Sequence, residues 1–414
     1  MMGSMKKILA FLVCLLIVSP AFAGKKPKKS PLLKLPTQLQ YEYSVDKEGN
    51  VKKKKIKDSP VGEIITFEAG DAVAFTNLLD GSFNNKKITV TAHLTFPPGD
   101  GPFPVLLFAH SSSGPSEFTY EGDQSDYWWF LRIGQNLLDM GIAVAYMDDF
   151  SGRGCKNTFR DQSCASIYGQ AIDAFEFFKV LKNNPKVNSK KIGITGSSRG
   201  GMVSTLVVDK KIRDVFLNED EQFAASMPIS GECRGGSYFA NPTPTNTKIL
   251  VVHGELDDYT LPGPCMDYAK RMKAAGGDVK SLLVPGAYHS FFGQWKVEFD
   301  KRIQTFNSCP FVIEMQDDGN FNEDFLQYTV DRVKDWNTID DFKAAIKADP
   351  AGTWEKGFKK GLADKKKGCV TYGAHEGGDW GWQGKGKPFI PMSESKNVKY
   401  FTPIFLNFWK ENLL

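Results

Sequence analysis

The stretch Gly193-Ile194-Thr195-Gly196-Ser197-Ser198-Arg199-Gly200-Gly201 constrains this chain more than any other. It contains the pattern Gly-x-Ser-x-Gly, with Ser198 between Gly196 and Gly200. Such a pattern suits a strand that turns sharply into a helix and leaves the serine hydroxyl exposed above the sheet. Glycine is needed on both sides because a Cβ there would collide with the neighbouring strand or helix. The flanks agree with this geometry. Lys190 to Thr195 alternates like a strand after the turn signal Asn184-Pro185, and Met202 to Val208 continues as a buried helix. A Gly/Ser-rich turn without chemistry has the same local signature, so the reading depends on a base and an acid elsewhere.

The rest of the chain reads as strands alternating with helices. Glu63 to Phe67 and Lys87 to Leu94 form an opening pair of strands, with turn residues Asp80-Gly81 and Asn84-Asn85 between them. Pro104 to Ala109 is a continuous apolar run, as in a strand buried on both faces. A helix over Tyr127 to Met140 closes at Gly141, and a strand over Ile142 to Met147 follows. Next come a helix around Gln170 to Lys182, the elbow strand, and strands at Phe223 to Ile229 and Lys248 to Val252. A helix at Cys265 to Ala275 and a strand at Val279 to Val284 complete the series. The alternation predicts an α/β fold with a mostly parallel sheet, helices on both faces and an antiparallel opening edge. Residues 61–308 carry it. From 309 to 391 the rhythm breaks into charge, glycine and aromatics, with helical pieces near Asp331 and Ile339, which predicts an irregular insertion. Residues 392–414 close the chain as a final helix of the sheet domain.

The N-terminus has a different character. Lys6 and Lys7, the apolar run Ile8 to Val18, and Ala21-Phe22-Ala23 read as a signal peptide over residues 1–23. The run is short for a membrane span and no later stretch reaches that length, so a soluble periplasmic or secreted protein without stable membrane insertion is expected. Lys25, Lys26, Lys28, Lys29 and Lys52 to Lys55 make residues 24–60 a basic, solvated and partly disordered arm. Net charge is only +4, which argues neither for nor against a polyanionic partner, and no nucleic-acid partner is expected. Cys14 lies in the signal, leaving Cys155, Cys164, Cys233, Cys265, Cys309 and Cys369. In an oxidising compartment an even number suggests three disulfides among 15 possible pairings. None has the close paired spacing of a zinc site, and neither a metal nor a cofactor is expected.

A serine hydroxyl needs a positioned base, and that base needs an orienting acid. Among five histidines, His93 sits inside a strand run, His375 lies in a glycine-rich loop, and His110 and His253 close apolar strands in structural roles. His289 follows the last parallel strand and is the expected base. Val251 to Asp258 places carboxylates just past a strand end, where Asp257 is the first choice, Asp258 the second and Glu255 the third. The order Ser198, Asp257, His289 is that of α/β-hydrolases. The developing oxyanion needs donors, expected from the backbone N–H of Arg199 and that of Ser112 in His110-Ser111-Ser112-Ser113-Gly114.

With these residues in place, the chain resembles the dienelactone hydrolase family within the α/β-hydrolase fold. The resemblance runs from about Phe67 to His289 and resumes in the final helix. It is carried by the His110 to Gly114 loop, Asp149-Phe150-Ser151-Gly152-Arg153-Gly154, the Ser198 elbow, His253 to Asp258 with Pro262 and Cys265, and Pro285 to Phe291. It implies ester or lactone hydrolysis with Ser198, Asp257 and His289 as triad. The namesake enzymes use a cysteine nucleophile where this chain has serine, and the insertion after His289 has no counterpart in smaller members. In such a fold, consecutive neighbouring strands bring Cys233 and Cys265 together. Cys155–Cys164 closes a short loop, and Cys309–Cys369 staples the ends of the insertion. Arg153 and Arg234 follow strand ends and are candidates for binding a substrate carboxylate. Only Ser230 to Thr247 separates two strands where large caps commonly enter, so a lidless pocket for short, soluble esters is expected. The same triad would serve an acyltransferase or peptidase, and a hydrolase-like binding protein could use the pocket without turnover.

Overall fold

The computed structural model describes residues 41–45, 51–55, 62–115, 128–158, 164–293, 297–378 and 396–414. The signal segment 1–23 lies outside them, as do most of the 24–60 arm and residues 379–395, which span the end of the 309–391 insertion and the start of the closing segment 392–414. Within the arm, β1 (Tyr41–Val45) and β2 (Val51–Lys55) pair antiparallel, with Tyr41 opposite Lys55 and Val45 opposite Val51. Part of the expected arm is therefore an antiparallel strand pair.

The central sheet is built from β3 (Gly62–Gly70), β4 (Lys87–Thr95), β5 (Phe103–Ala109), β6 (Ala143–Asp148), β7 (Val187–Ser197) and β8 (Ala225–Ile229). After the short strand β9 (Gly235–Phe239), β10 (Lys248–Gly254) and β11 (Asp278–Val284) complete it. Its eight strands run in the order β11-β10-β8-β7-β5-β6-β4-β3. β4 is antiparallel to both its neighbours, and every other pairing is parallel. This is an α/β fold with a mostly parallel sheet, as the alternating sequence pattern implies.

Strand side chains alternate between two cores. Val105, Leu107 and Ala109 of β5 enter one, and Leu106 and Phe108 enter the other. On the first face lie α1 (Thr76–Leu79), α3 (Ile167–Lys182), α4 (Arg199–Leu206), α5 (Lys210–Phe216) and α6 (Pro262–Ala274). The second face holds α2 (Trp128–Asp139) and α10 (Lys396–Leu413). Ser166 caps α3 by accepting from the backbone N–H of Tyr168 and Gly169 at 3.0 and 3.2 Å.

The chain after His289 contains more regular structure than its composition suggests. β12 (Glu298–Thr305) and β14 (Thr371–Glu376) pair antiparallel, and β13 (Ile313–Met315) pairs parallel with β9. Between them lie α7 (Glu323–Val333), α8 (Ile339–Ala348) and α9 (Pro350–Gly357). Thr338 and Asp341 cap α8 reciprocally. His375 therefore sits in a strand rather than a loop. β12 also begins before Cys309, so the added unit starts earlier than the break in rhythm suggests. Bonds join Cys155 to Cys164, Cys233 to Cys265 and Cys309 to Cys369, with Cα separations of 6.0, 5.1 and 4.7 Å.

Helix α10 bears directly on the elbow strand. Trp409 is fully buried, and a Cβ on Gly193 of β7 would stand 2.6 Å from its ring. The indole fills the space that the glycine leaves. Replacing Trp409 with Ala should lower stability by about 3–5 kcal/mol, the usual range for a fully buried large aromatic. Equilibrium denaturant unfolding, read as a shift of the midpoint, checks this.

Candidate functional site

β7 ends at Ser197 and α4 begins at Arg199, leaving Ser198 alone at the turn. Its φ is 55° and its ψ −115°, a backbone state that non-glycine residues rarely adopt. The surroundings enforce it. A Cβ on Gly196 would lie 2.4 Å from the Ala109 carbonyl oxygen, and one on Gly200 would lie 2.1 Å from the same atom. Ser198 N–H donates to Ile229 O at 2.8 Å, tying the turn to β8.

Asp257 and His289 follow the neighbouring strands β10 and β11. A Cβ on Gly254 would stand 2.5 Å from Ala287 O, so the two turns pack backbone against backbone. His289 Nδ1 lies 2.9 Å from Asp257 Oδ2. Thr260 Oγ1 also donates to Oδ2 at 3.0 Å, while Oδ1 accepts the backbone N–H of Tyr259 and Thr260 at 3.0 and 2.9 Å. His253 Nδ1 stands 3.3 Å from Oδ2, and its Nε2 faces Gly231 O at 3.1 Å. Burial alone would push the Asp257 carboxyl up. The His289 charge and the hydrogen bonds from His253 and His289 outweigh it and hold the group well below the usual carboxylate range. His289 is the mirror case: burial disfavours its charge, but Asp257, Glu376 and Glu232 raise its pKa. Its Nε2 is buried without a hydrogen-bond partner among the described residues. The ring packs 4.5 Å from that of Tyr259.

The three sequence candidates for the acid separate cleanly. Only Asp257 meets His289. Asp258 bonds His375 instead, accepting its backbone N–H at 2.8 Å and lying 2.7 Å from its Nδ1. Glu255 accepts Gly286 N–H at 2.8 Å in the turn.

Ser112 and Ser198 line one cavity of about 340 Å³, together with Tyr259, Thr260 and Glu232. A buried polar chain joins His110, two residues before Ser112, to Arg199. His110 Nε2 pairs with Asp149, Gln170 Nε2 donates to Asp149 Oδ2 at 2.9 Å, and the Arg199 guanidinium bonds Gln170. Arg199 also donates to Ala165 O. Burial weakens the Arg199 charge, and its pKa falls to about 10. Gln170 was not singled out from the sequence, because a polar residue on a helix face reads as surface.

Neither candidate carboxylate clamp is available to a ligand. Arg153 Nε donates to Asp71 Oδ1 at 2.9 Å, and its terminal nitrogens bond Asp149 O and both Asp173 oxygens. Its guanidinium is spent on a buried ion pair, although the residue does line the cavity. Arg234 donates to the carbonyls of Cys309 and Phe311 and is not among the lining residues. The cavity instead holds a carboxylate the sequence reading missed, Glu232, whose position three residues past β8 was the available signal.

No protein-family model matches the chain, and no curated protein matches its sequence. Among solved structures, a Klebsiella pneumoniae protein assigned as a dienelactone hydrolase is similar at 15% identity and a TM-score of 0.39, over 55% of this chain and 88% of that one. Esterase 2 of Thermogutta terrifontis is similar at 15% identity and a TM-score of 0.37, over 50% of this chain and 82% of that one. Est1E of Butyrivibrio proteoclasticus is similar at 15% identity and a TM-score of 0.34, over 49% of this chain and 86% of that one.

The electrostatics predict a titration. His289 should hold its proton to a pH above the ordinary histidine value of 6.5. Asp257→Asn removes the facing charge, burial then dominates, and the midpoint should fall below that of the unchanged protein. Histidine NMR across pH 4–9 checks both directions.

Proposed function

We propose that this protein is an exported serine hydrolase that cleaves carboxylic esters or lactones through an acyl-enzyme on Ser198. The observation that carries this reading is the His289 imidazole. Its Nδ1 is held by Asp257, and its buried Nε2 has no hydrogen-bond partner among the described residues. Tyr259 and Thr260, which pack on that ring, line the same cavity as Ser198.

In the first step Ser198 Oγ attacks the carbonyl carbon while His289 Nε2 takes its proton. Asp257 stabilises the imidazolium that forms and fixes the tautomer with hydrogen on Nδ1. The backbone N–H groups of Arg199 and Ser112 receive the developing oxyanion. His289 then returns the proton to the departing alkoxide, leaving an ester on Ser198. Water, deprotonated by the same imidazole, attacks that ester and releases the acid. Hydrogen-bond geometry between nucleophile and base commonly tightens only when substrate is bound.

Export rests on the sequence of residues 1–23 together with three disulfides. Among the described residues no helix is long and apolar enough to cross a membrane, and no group of His, Cys, Asp and Glu side chains is placed to hold a metal ion.

Ser198→Ala should lower ester turnover by about 10⁴- to 10⁶-fold while the fold survives. A fluorophosphonate probe should label Ser198 in the unchanged protein and nothing in the variant. Labelling at Ser197 would show that the elbow register is wrong. The kcat/KM profile should fall as pH drops through a value above 6.5, because the imidazolium cannot accept the serine proton. A flat rate between pH 5 and 8 counts against His289 as base. Parallel assays with peptide amides, and with alcohols as competing acceptors, separate a peptidase or acyltransferase from an esterase.

A further inference from the structure

We propose that the cavity beside Ser198 takes the bulky apolar part of an ester that also carries a hydrogen-bond donor, an ammonium or a hydroxyl, which Glu232 receives. The inference rests on the hydrolase reading and narrows it to a substrate class.

Size comes first. A cavity of about 340 Å³ is far larger than an acetyl or butyryl group needs and falls in the range that holds drug-sized ligands. The cavity is therefore roomier than the expected site for short esters requires. Phe306, Phe321, Ile346 and Phe358, all from the chain after His289, line it together with Ile167 and Met202 of the sheet domain. These side chains offer dispersion and burial to an aromatic or branched group and nothing to a polar one.

Charge decides the rest. Three cations and three carboxylates line the cavity. Asp71 is bonded to both Lys86 and Arg153, and Arg153 also meets Asp173. Arg199 is buried on Gln170 and Ala165, and Glu355 pairs with Lys359. Glu232 alone among these carboxylates lacks a bonded cation. It is 9% exposed, and among the described residues its one hydrogen bond is from the backbone N–H of Arg234 to Oε1 at 2.6 Å. The Arg234 guanidinium nearby is bonded to two carbonyls. Oε2 is thus left for a ligand. Burial, reinforced by the Asp257 charge and opposed by the Arg234 N–H and guanidinium and by His289, pushes the Glu232 carboxyl up to about 7. A donor placed on Oε2 would offset that desolvation, whereas a ligand carboxylate would face a like charge.

The test uses p-nitrophenyl esters of 3-arylpropionates that differ only at the para position: methyl, hydroxymethyl, aminomethyl or carboxylate. In the unchanged protein, kcat/KM for the hydroxymethyl or aminomethyl ester should exceed that for the methyl ester by about ten-fold or more, and the carboxylate ester should fall below it by a similar factor. Whichever donor ranks higher identifies the source, an amine or a neutral hydroxyl compound. Glu232→Gln should bring the aminomethyl-to-methyl ratio close to one, a comparison made within one variant and so insensitive to loss of active protein. Calorimetric binding of the corresponding non-ester arylalkyl compounds to Ser198→Ala repeats the ranking without turnover. If the carboxylate compound ranks first, or the ratio survives Glu232→Gln, the inference is wrong even though the hydrolase stands. If no ester is cleaved and no probe labels Ser198, the hydrolase reading fails, and the binding ranking alone judges Glu232. Should Glu232→Gln not fold, the ranking in the unchanged protein still decides.

Discussion

The left-handed backbone at Ser198 persists because its neighbours leave no other arrangement. Such a conformation costs on the order of 1–3 kcal/mol for a residue with a Cβ and survives only where packing over-determines it. Here the Ala109 carbonyl of β5 presses on the positions of Gly196 and Gly200. Ile229 of β8 holds the Ser198 N–H, and Trp409 fills the face of β7 behind Gly193. Two neighbouring strands thus meet at the turn, and a distant helix supports the strand that leads into it. Ser198 is held by the strands on either side of its turn, the kind of support that the reacting group of the proposed mechanism would require.

Two buried carboxylates near that turn show how environment sets role. Asp257 receives hydrogen bonds from two backbone N–H groups, a threonine hydroxyl and His289, so its charge is solvated by protein donors and it stays ionised. Glu232, also buried, has a single backbone donor, and its charge is correspondingly disfavoured. The same residue chemistry gives a fixed anion in one place and a group poised near neutrality in the other. On the opposite side, the His110–Asp149–Gln170–Arg199 chain is almost wholly internal. It joins the turn after β5 to the first residue of α4, the two segments whose backbone N–H groups the proposed mechanism uses.

The features legible in the sequence were those set by local chemistry. Glycine spacing around Ser198, a carboxylate cluster past one strand and a histidine past the next need no knowledge of distant chain. The alternating pattern gave the sheet for the same reason. What stayed hidden depends on pairings across long separations. Arg153 looked free because Asp71 lies 82 residues away, and only the fold brings them together. His375 looked like a loop residue because the glycines around it obscure a strand whose partner, β12, starts at Glu298. Gly373, with its φ of 112°, sits inside that strand against the Phe299 ring, a contact that composition alone cannot suggest.

The chain added after His289 is bonded to the turns that bear the proposed acid and base rather than merely adjacent to them. Asp258, next to the acid of the proposed triad, accepts from His375 of β14, and its carbonyl accepts from Asn307 at 2.6 Å. The His375 ring in turn packs 5.1 Å from Tyr288, the residue before His289. Farther out, β13 pairs with β9, the strand that follows Glu232, and Cys309–Cys369 closes the unit. The chain that supplies part of the cavity lining therefore also packs on the turns bearing Asp257 and His289. The added unit thus reaches the turns that bear Asp257 and His289 through the residues next to them, Asp258 and Tyr288, rather than through those two side chains themselves.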